Sequence, residues 1–186
     1  MEIQRLGIKI FAAEPVSVAL DDFIPVFHTW IQKGLVENHL LVDIHDYSHI
    51  HQGPGILLVA HEGNFSMDLA DDRLGLFYYR KQPLDGAPEE RVAAIVKTAV
   101  EACRLLEEDA AFAGKLRFKM DEMLLVANDR LHAPNDPATF AELEPVLAAG
   151  LKRAVGAANL TLTPASGDPR ERFAVRALTN AAQGRR

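Results

Sequence analysis

Cysteine, long apolar runs and clustered basic residues are all scarce in this sequence. Cys103 is the only cysteine in 186 residues, so an internal disulfide is impossible and a thiolate metal cluster would lack partners. No apolar run approaches the ~20 residues that a membrane helix needs. The first 11 residues carry Glu2 and Gln4 where a secretory signal would be basic and then apolar. We therefore expect a soluble protein of a reducing cytoplasm.

The charge balance argues against two classes of partner. Lys and Arg total 20 against 26 Asp and Glu, which gives a formal net charge of −6. Binding to a phosphate backbone depends on concentrated Lys and Arg, because counterion release at those contacts supplies much of the affinity. We expect neither nucleic acid nor an anionic membrane surface as a partner.

Familiar catalytic and cofactor motifs are also missing. The chain contains no Gly-rich phosphate loop, no G-x-S-x-G and no H-E-x-x-H, and His61-Glu62 lacks the second histidine of a zinc motif. Cys103 falls on the apolar stripe of a predicted helix, which is typical of a small buried hydrophobe. No cofactor is therefore predicted, although a divalent metal such as zinc remains an alternative.

Hydrophobic periodicity predicts one α+β domain over residues 1–180, followed by a frayed tail at 181–186. Phe23, Trp30 and their helically spaced neighbours predict a helix that ends near Gly34, and Pro88 begins a long helix. A third helix opens at Asp136-Pro137 or with the capping box Thr139-x-x-Glu142. Strands are predicted at residues 3–11, 40–49, 56–68, 74–81, 116–126, 160–163 and 173–178.

The order of these elements repeats approximately. Two βαββ-type units, at about residues 3–81 and 116–178, are joined by a linking helix at 88–113, and we predict a mostly antiparallel sheet with helices on one face. The order resembles the vicinal-oxygen-chelate architecture, whose metal ligands come from the first and last strands of each unit. Here those strands offer Glu14 and no His or acidic residue between positions 74 and 81, so the usual metal site would be lost or moved. A two-layer α/β sandwich is the preferred description.

A three-stranded antiparallel meander at residues 40–81 carries the most unusual pattern. Apolar and polar residues alternate along these strands, which places them on opposite faces of the sheet. In the first hairpin we expect the numbers of paired positions to add to an odd total, so odd positions of its first strand share a face with even positions of its second. The predicted apolar face holds Leu40, Val42, Ile44, Leu57, Val59, Phe65, Met67, Leu74 and Leu76. The predicted polar face holds Asp43, His45, Tyr47, His49, Glu62, Asn64, Ser66, Phe77 and Tyr79.

The polar face suggests a ligand-binding site formed by His45, Tyr47, Glu62, Asn64 and Tyr79. An imidazole beside a carboxylate can perform acid–base chemistry, and His with Glu and Asp43 can also ligate zinc. Exposed polar residues on one face of an antiparallel sheet need no such function, however.

The other histidines fit structural or surface roles. His45 and His49 are roughly 13 Å apart along an extended strand, too far to bind one ion. His61 is assigned to the apolar face as a core histidine bonded to a neighbour such as Asp46. Surface roles are expected for His28, His39, His51 and His132.

Two functions remain open. The favoured one is a binding or regulatory domain that recognises a small polar ligand or a protein partner through the polar face of the meander, and a homo-oligomer is possible. The alternative is an enzyme in which His45 acts as a base oriented by Asp43 or Glu62, with or without a metal.

Overall fold

Eight strands form one antiparallel sheet in the computed structural model, which describes residues 5–156 and 159–180. The strands are β1 (Leu6–Ala12), β2 (Leu41–Tyr47), β3 (Gly55–Ala60), β4 (Gly63–Asp68), β5 (Gly75–Arg80), β6 (Phe118–Ala127), β7 (Asn159–Pro164) and β8 (Ala174–Asn180). The helices are α1 (Phe23–Lys33), α2 (Pro88–Glu108) and α3 (Pro137–Val155). The strand order is β2-β3-β4-β5-β1-β6-β8-β7, which confirms the predicted α+β class.

The three helices lie on one face of this sheet. α2 packs over β1, β5 and β6, α1 packs over β2 and β3, and α3 packs against α2 and β7. Their apolar side chains share one core with Ile8 and Ile10 of β1, both fully buried. Since neighbouring residues of a strand point to opposite faces, Lys9 and Phe11 point away from the helices. The result is the preferred two-layer arrangement.

Local sequence signals explain where the helices begin and end. α1 stops at Gly34, which has a φ of 59°, a conformation that glycine adopts without a Cβ penalty. α3 begins after Asp136, whose carboxylate accepts a hydrogen bond from the Thr139 backbone N–H at 2.8 Å. The Asp136-Pro137 start is therefore confirmed. α2 ends at Glu108, five residues before the predicted end at residue 113.

The predicted three-stranded meander is wrong, because it contains four strands. Residues 56–68 were predicted as one strand, but they form β3 and β4, joined by a turn at His61 and Glu62. Two short antiparallel strands with a tight turn resemble one long strand in hydrophobic pattern, since both alternate with a period of two. Glu62 therefore lies in a turn rather than on a strand face.

The predicted faces of β3 are also reversed. His45 pairs with Leu57 and Asp43 pairs with Val59. The numbers of paired positions therefore add to an even total, whereas an odd total was predicted. Leu57 and Val59 consequently share a face with His45, while Ile56 and its alternate neighbours face the helices. A one-residue difference in the connection between two strands exchanges the faces of every side chain. Here residues 48–54 form that connection.

Strand β2 begins with an irregularity that exposes another predicted core residue. The pairing with β3 shifts between Leu41 and Asp43. Val42, expected on the apolar face, is 58% exposed, and Leu40 is 65% exposed. Bulges at a sheet edge reorient side chains in this way.

The two units of the proposed repeat, β1-α1-β2-β3 and β6-α3-β7-β8, follow the same element order, and β1 pairs with β6 at the centre of the sheet. A duplication and the single-domain organisation stay predictions.

The proposed tail at 181–186 lies outside the described residues. Among the described helices, none has the length and apolar character to cross a membrane.

Candidate functional site

We call the face of the sheet opposite the helices the helix-free face. Residue pairs continue from strand to strand across it without a break. One row across it consists of His45, Leu57, Ser66, Phe77, Lys9, Leu124 and Arg176, in that order. Because directly paired residues project from the same side of a sheet, all seven side chains lie on this face. The row continues to the other edge strand, where Thr163 of β7 pairs with Arg176, and it combines residues from both halves of the chain.

Four of the five predicted site residues belong to the helix-free face. His45 and Tyr47 come from β2, and their rings lie 6.1 Å apart. Asn64 and Tyr79 form a pair between β4 and β5. The Asn64 side chain also accepts a long hydrogen bond, 3.4 Å, from the Ala60 backbone N–H, which ties it to the β3–β4 turn.

Glu62, the fifth predicted residue, does not join His45. Its carboxylate accepts a hydrogen bond of 2.8 Å from the Leu40 backbone N–H, five positions before His45. Five residues of extended chain span roughly 16 Å. Burial tends to raise the pKa of Glu62, but the Leu40 N–H and other donors outweigh it, so the pKa lies below its ordinary value. The predicted His45–Glu62 pair is therefore wrong. Glu62 instead binds the Leu40 backbone from its position in the β3–β4 turn.

The carboxylate nearest to His45 is Asp43. His45 Nε2 lies 3.7 Å from Asp43 Oδ2, and the two side chains are 47% and 62% exposed. An ion pair at this distance and exposure contributes little free energy. The arrangement leaves the His45 ring accessible from solvent and loosely held.

Half-buried apolar side chains occupy the middle of the helix-free face. Leu57 and Val59 of β3 and Phe77 and Tyr79 of β5 are all partly exposed there, with Asn64 and Ser66 of β4 between them. The Phe77 and Tyr79 rings are near-parallel, with centroids 6.5 Å apart and an interplanar angle of 19°. We call these four residues, Leu57, Val59, Phe77 and Tyr79, the central patch.

A buried ion pair lies next to the central patch. Lys9 is 3% exposed, and its Nζ donates to Asp68 Oδ1 and to the Ala70 carbonyl, each at 2.6 Å. Asp68 also accepts from the Ala70 backbone N–H at 3.0 Å and from the Ser66 hydroxyl at 3.3 Å. Burying two charges is costly, and such a pair is stable only when further hydrogen bonds satisfy both groups. Lys9 and Asp68 meet that condition.

A cluster of cations covers Phe11, the last residue of β1 on this face. The Arg73 guanidinium lies 4.0 Å from the centroid of the ring, and that of Arg176 lies 6.0 Å from it. Phe11 is fully buried although no described helix covers it, because the long charged side chains close over the ring. Phe11 forms a second apolar cluster with Leu124 and Val126, separate from the main core.

Glu122 holds these cations in place. Its carboxylate accepts two hydrogen bonds from Arg73, at 2.8 and 3.0 Å, one from Lys119 at 2.9 Å and one from Arg176. The Arg73 side chain, followed by Lys119, lowers the pKa of Glu122 to about 2. Three cations therefore share one carboxylate here, and Glu14 and Asp71 also interact electrostatically with Arg73.

The charged residues of this face, Lys9 and Glu122, were not identified as site residues from the sequence, but a signal for them exists. Lys9 interrupts an otherwise apolar stretch of β1, and Glu122 precedes an apolar run in β6. A charged residue inside a central strand requires a buried partner of opposite charge. The partners, Asp68 and Arg73, come from distant positions that the pattern alone does not identify.

Two other histidines differ from their predicted roles. His61 is exposed in the β3–β4 turn and is not a core residue. His39, expected at the surface, is half-buried, and its Nε2 forms a hydrogen bond of 2.8 Å with the Tyr78 hydroxyl. Burial lowers the pKa of His39 and raises that of Tyr78. This pair packs beside Phe65 on the helix side of the sheet, so it supports the core.

Metal-ligating side chains do not converge in the part of the chain that the structure describes, where no group of three or more His, Cys, Asp or Glu residues could hold an ion. Cys103 is fully buried in α2, as predicted, and burial raises the pKa of its thiol.

In comparisons with family models, curated proteins and solved structures, no match to this chain was found.

Proposed function

We propose that this chain is a non-catalytic binding domain whose helix-free face receives another protein. The observation that carries the proposal is the central patch, which leaves two aliphatic and two aromatic side chains partly exposed on the face opposite the helices. Aromatic side chains bury large areas at little entropic cost, which is why they dominate the binding energy of many interfaces.

The size of the helix-free face favours a protein over a small polar ligand. Eight strands spaced about 4.8 Å apart give a width of about 34 Å, and strands of six residues give a height of about 20 Å. The resulting area of roughly 700 Å² is close to the ~800 Å² that each partner contributes to a standard interface. A small ligand would instead favour an enclosed site with a few converging polar groups.

The charges on the helix-free face determine which residues a complementary partner would present. At the β6–β8 end of the face, Glu122 is surrounded by Arg73, Lys119 and Arg176. Next to the central patch, Lys9 and Asp68 neutralise each other. A complementary partner therefore presents apolar residues to the central patch and acidic residues towards β8. His45 and Tyr47 of the edge strand β2 supply the polar rim on the opposite side.

Acid–base catalysis receives less support. It would depend on His45 with Asp43 as its orienting carboxylate, and these side chains are 3.7 Å apart and about half-exposed. A catalytic base is normally held within about 2.6–3.2 Å of its partners.

A photoreactive amino acid at position 79 tests the proposal directly. We expect crosslinks to one distinct protein when the group replaces Tyr79, and none to that protein when it replaces the exposed Arg104 of α2. The same crosslinked partner at both positions would contradict the proposal. A crosslink only to a second copy of the chain would make the face a dimer interface and would also contradict it.

A further inference from the structure

A cleft of about 460 Å³ opens at the end of the helix-free face, where β6 and β8 meet the loop before β8. Leu124, Val126 and Ala174 form its apolar floor. Residues 165–172 form one wall, and Gln52 and Asp71 contribute to the opposite wall. The volume lies within the range of about 300–1,000 Å³ that is common for small-molecule sites.

Four arginines line this cleft against two acidic residues, Asp71 and Glu171. Arg176 is bound to Glu122, and Arg170 to Asp168. The other two, Arg130 and Arg172, form no ion pair or side-chain hydrogen bond with the residues that the structure describes. Arg130 and Arg172 are therefore the two guanidinium groups of this cleft that no carboxylate of the described residues engages.

The arginine-bearing wall is held in a defined shape. The side chain of Asn135, which is 7% exposed, donates to the carbonyls of Ser166 at 3.2 Å and Asp168 at 2.9 Å. The Asp168 carboxylate in turn accepts from the Arg170 backbone N–H at 2.9 Å. Because these bonds fix the loop before any ligand arrives, the entropic cost of binding at this wall is reduced.

We propose that this cleft binds an oxyanion, either carboxylate or phosphate, through Arg130 and Arg172. Guanidinium groups bind both of these anions through paired N–H donors. The apolar floor accommodates the hydrocarbon part of the ligand, and Asp71 opposite directs the anionic group towards the arginines. The site does not depend on the protein-binding proposal, because free anions test it without any partner.

The test compares two double variants that change the net charge equally. Arg130→Gln/Arg172→Gln removes the two unpaired cations, and Lys97→Gln/Arg104→Gln removes two exposed cations from α2. Citrate, inorganic phosphate and a blocked hexaglutamate peptide are titrated into the full chain at low salt, with two-dimensional amide spectra as the readout. Unchanged thermal unfolding of both variants establishes that they remain folded.

We expect saturable shifts at residues 165–176 with at least one probe, and an affinity lower by about tenfold or more only in the Arg130/Arg172 variant. Tighter binding of citrate or phosphate assigns the cleft to a free small molecule. Tighter binding of the peptide assigns it to carboxylates of a protein. Non-saturable binding of all three probes, or an equal loss in both variants, would overturn the proposal.

Discussion

The two faces of this sheet are both partly buried, but by different means. On the helix side, Ile8 and Phe65 are enclosed by neutral side chains of the main core. On the helix-free side, Phe11 is enclosed by Arg73 and Arg176, and Lys9 by Asp68 and the Ala70 carbonyl. Burial therefore does not require a second layer of helices. Charged side chains with apolar stems can cover a strand when carboxylates neutralise them.

This difference has a consequence for function. Apolar burial on the helix side is non-directional and stabilises the fold. Charge pairs on the other side fix the positions of specific groups, and they leave the central patch uncovered beside them. The helix side therefore stabilises the fold, and the partly exposed groups of the helix-free side are the basis of the proposed recognition role.

The largest contrast is expected between two phenylalanines on opposite faces. Phe65 is fully buried beside Trp30 and Tyr78, so Phe65→Ala should cost about 3–5 kcal/mol. Phe77 is half-buried on the helix-free face, so Phe77→Ala should cost only about 1–2 kcal/mol. Urea unfolding of both variants measures these values. Equal losses would mean that the helix-free face is as much a core as the other.

The buried ion pair provides the next test. Lys9→Met leaves Asp68 buried without its cation and should lower the free energy of unfolding by about 3 kcal/mol or more. The double variant Lys9→Met/Asp68→Asn removes both charges and should recover most of that loss. If the double variant is no more stable than Lys9→Met, the cost does not arise from the unpaired charge.

Glu122 predicts a specific pH dependence. Its pKa falls from 4.5 to about 2 in the folded state, so its stabilisation is complete above about pH 4.5 and is lost as the pH falls through about 2. Glu122→Gln should cost about 2–3 kcal/mol at neutral pH and flatten the stability profile between those values. Unfolding measured from pH 2 to 7 checks this. The exposed Glu101→Gln serves as the control and should retain the wild-type profile.

The smallest effect is expected at His45. Its side chain is about half-exposed, and its contact with Asp43 is 3.7 Å long, so His45→Ala should change the free energy of unfolding by less than about 0.5 kcal/mol. A loss of several kcal/mol in the same urea experiment would show that His45 belongs to a structural network.

Much of the fold could be predicted because helix signals are local. Gly34 ends α1 and Asp136 caps α3, as each residue type favours. The faces of strands within one hairpin are harder to predict. A one-residue difference in the β2–β3 connection is enough to move Leu57 and Val59 to the opposite face. The helix-free face was assigned correctly for His45 and Tyr79, whose strands were identified correctly.

The polar contacts of the site could not be predicted because they are long-range. Lys9 meets Asp68 across 59 positions, and Arg73 meets Glu122 across 49. Such pairs depend on which strands become neighbours, and β1 lies between β5 and β6 only after the whole sheet is assembled. Periodicity identifies the charged residue in a strand but not the partner that neutralises it.

The most direct test of the account is the affinity of the crosslinked partner for two variants that introduce the same charge. Val59→Lys places a cation in the central patch, and Ala94→Lys places one on the exposed surface of α2. If the helix-free face is the binding surface, Val59→Lys weakens binding by about tenfold or more, and Ala94→Lys leaves it unchanged. Equal affinities of both variants and the unmodified chain would contradict the claim.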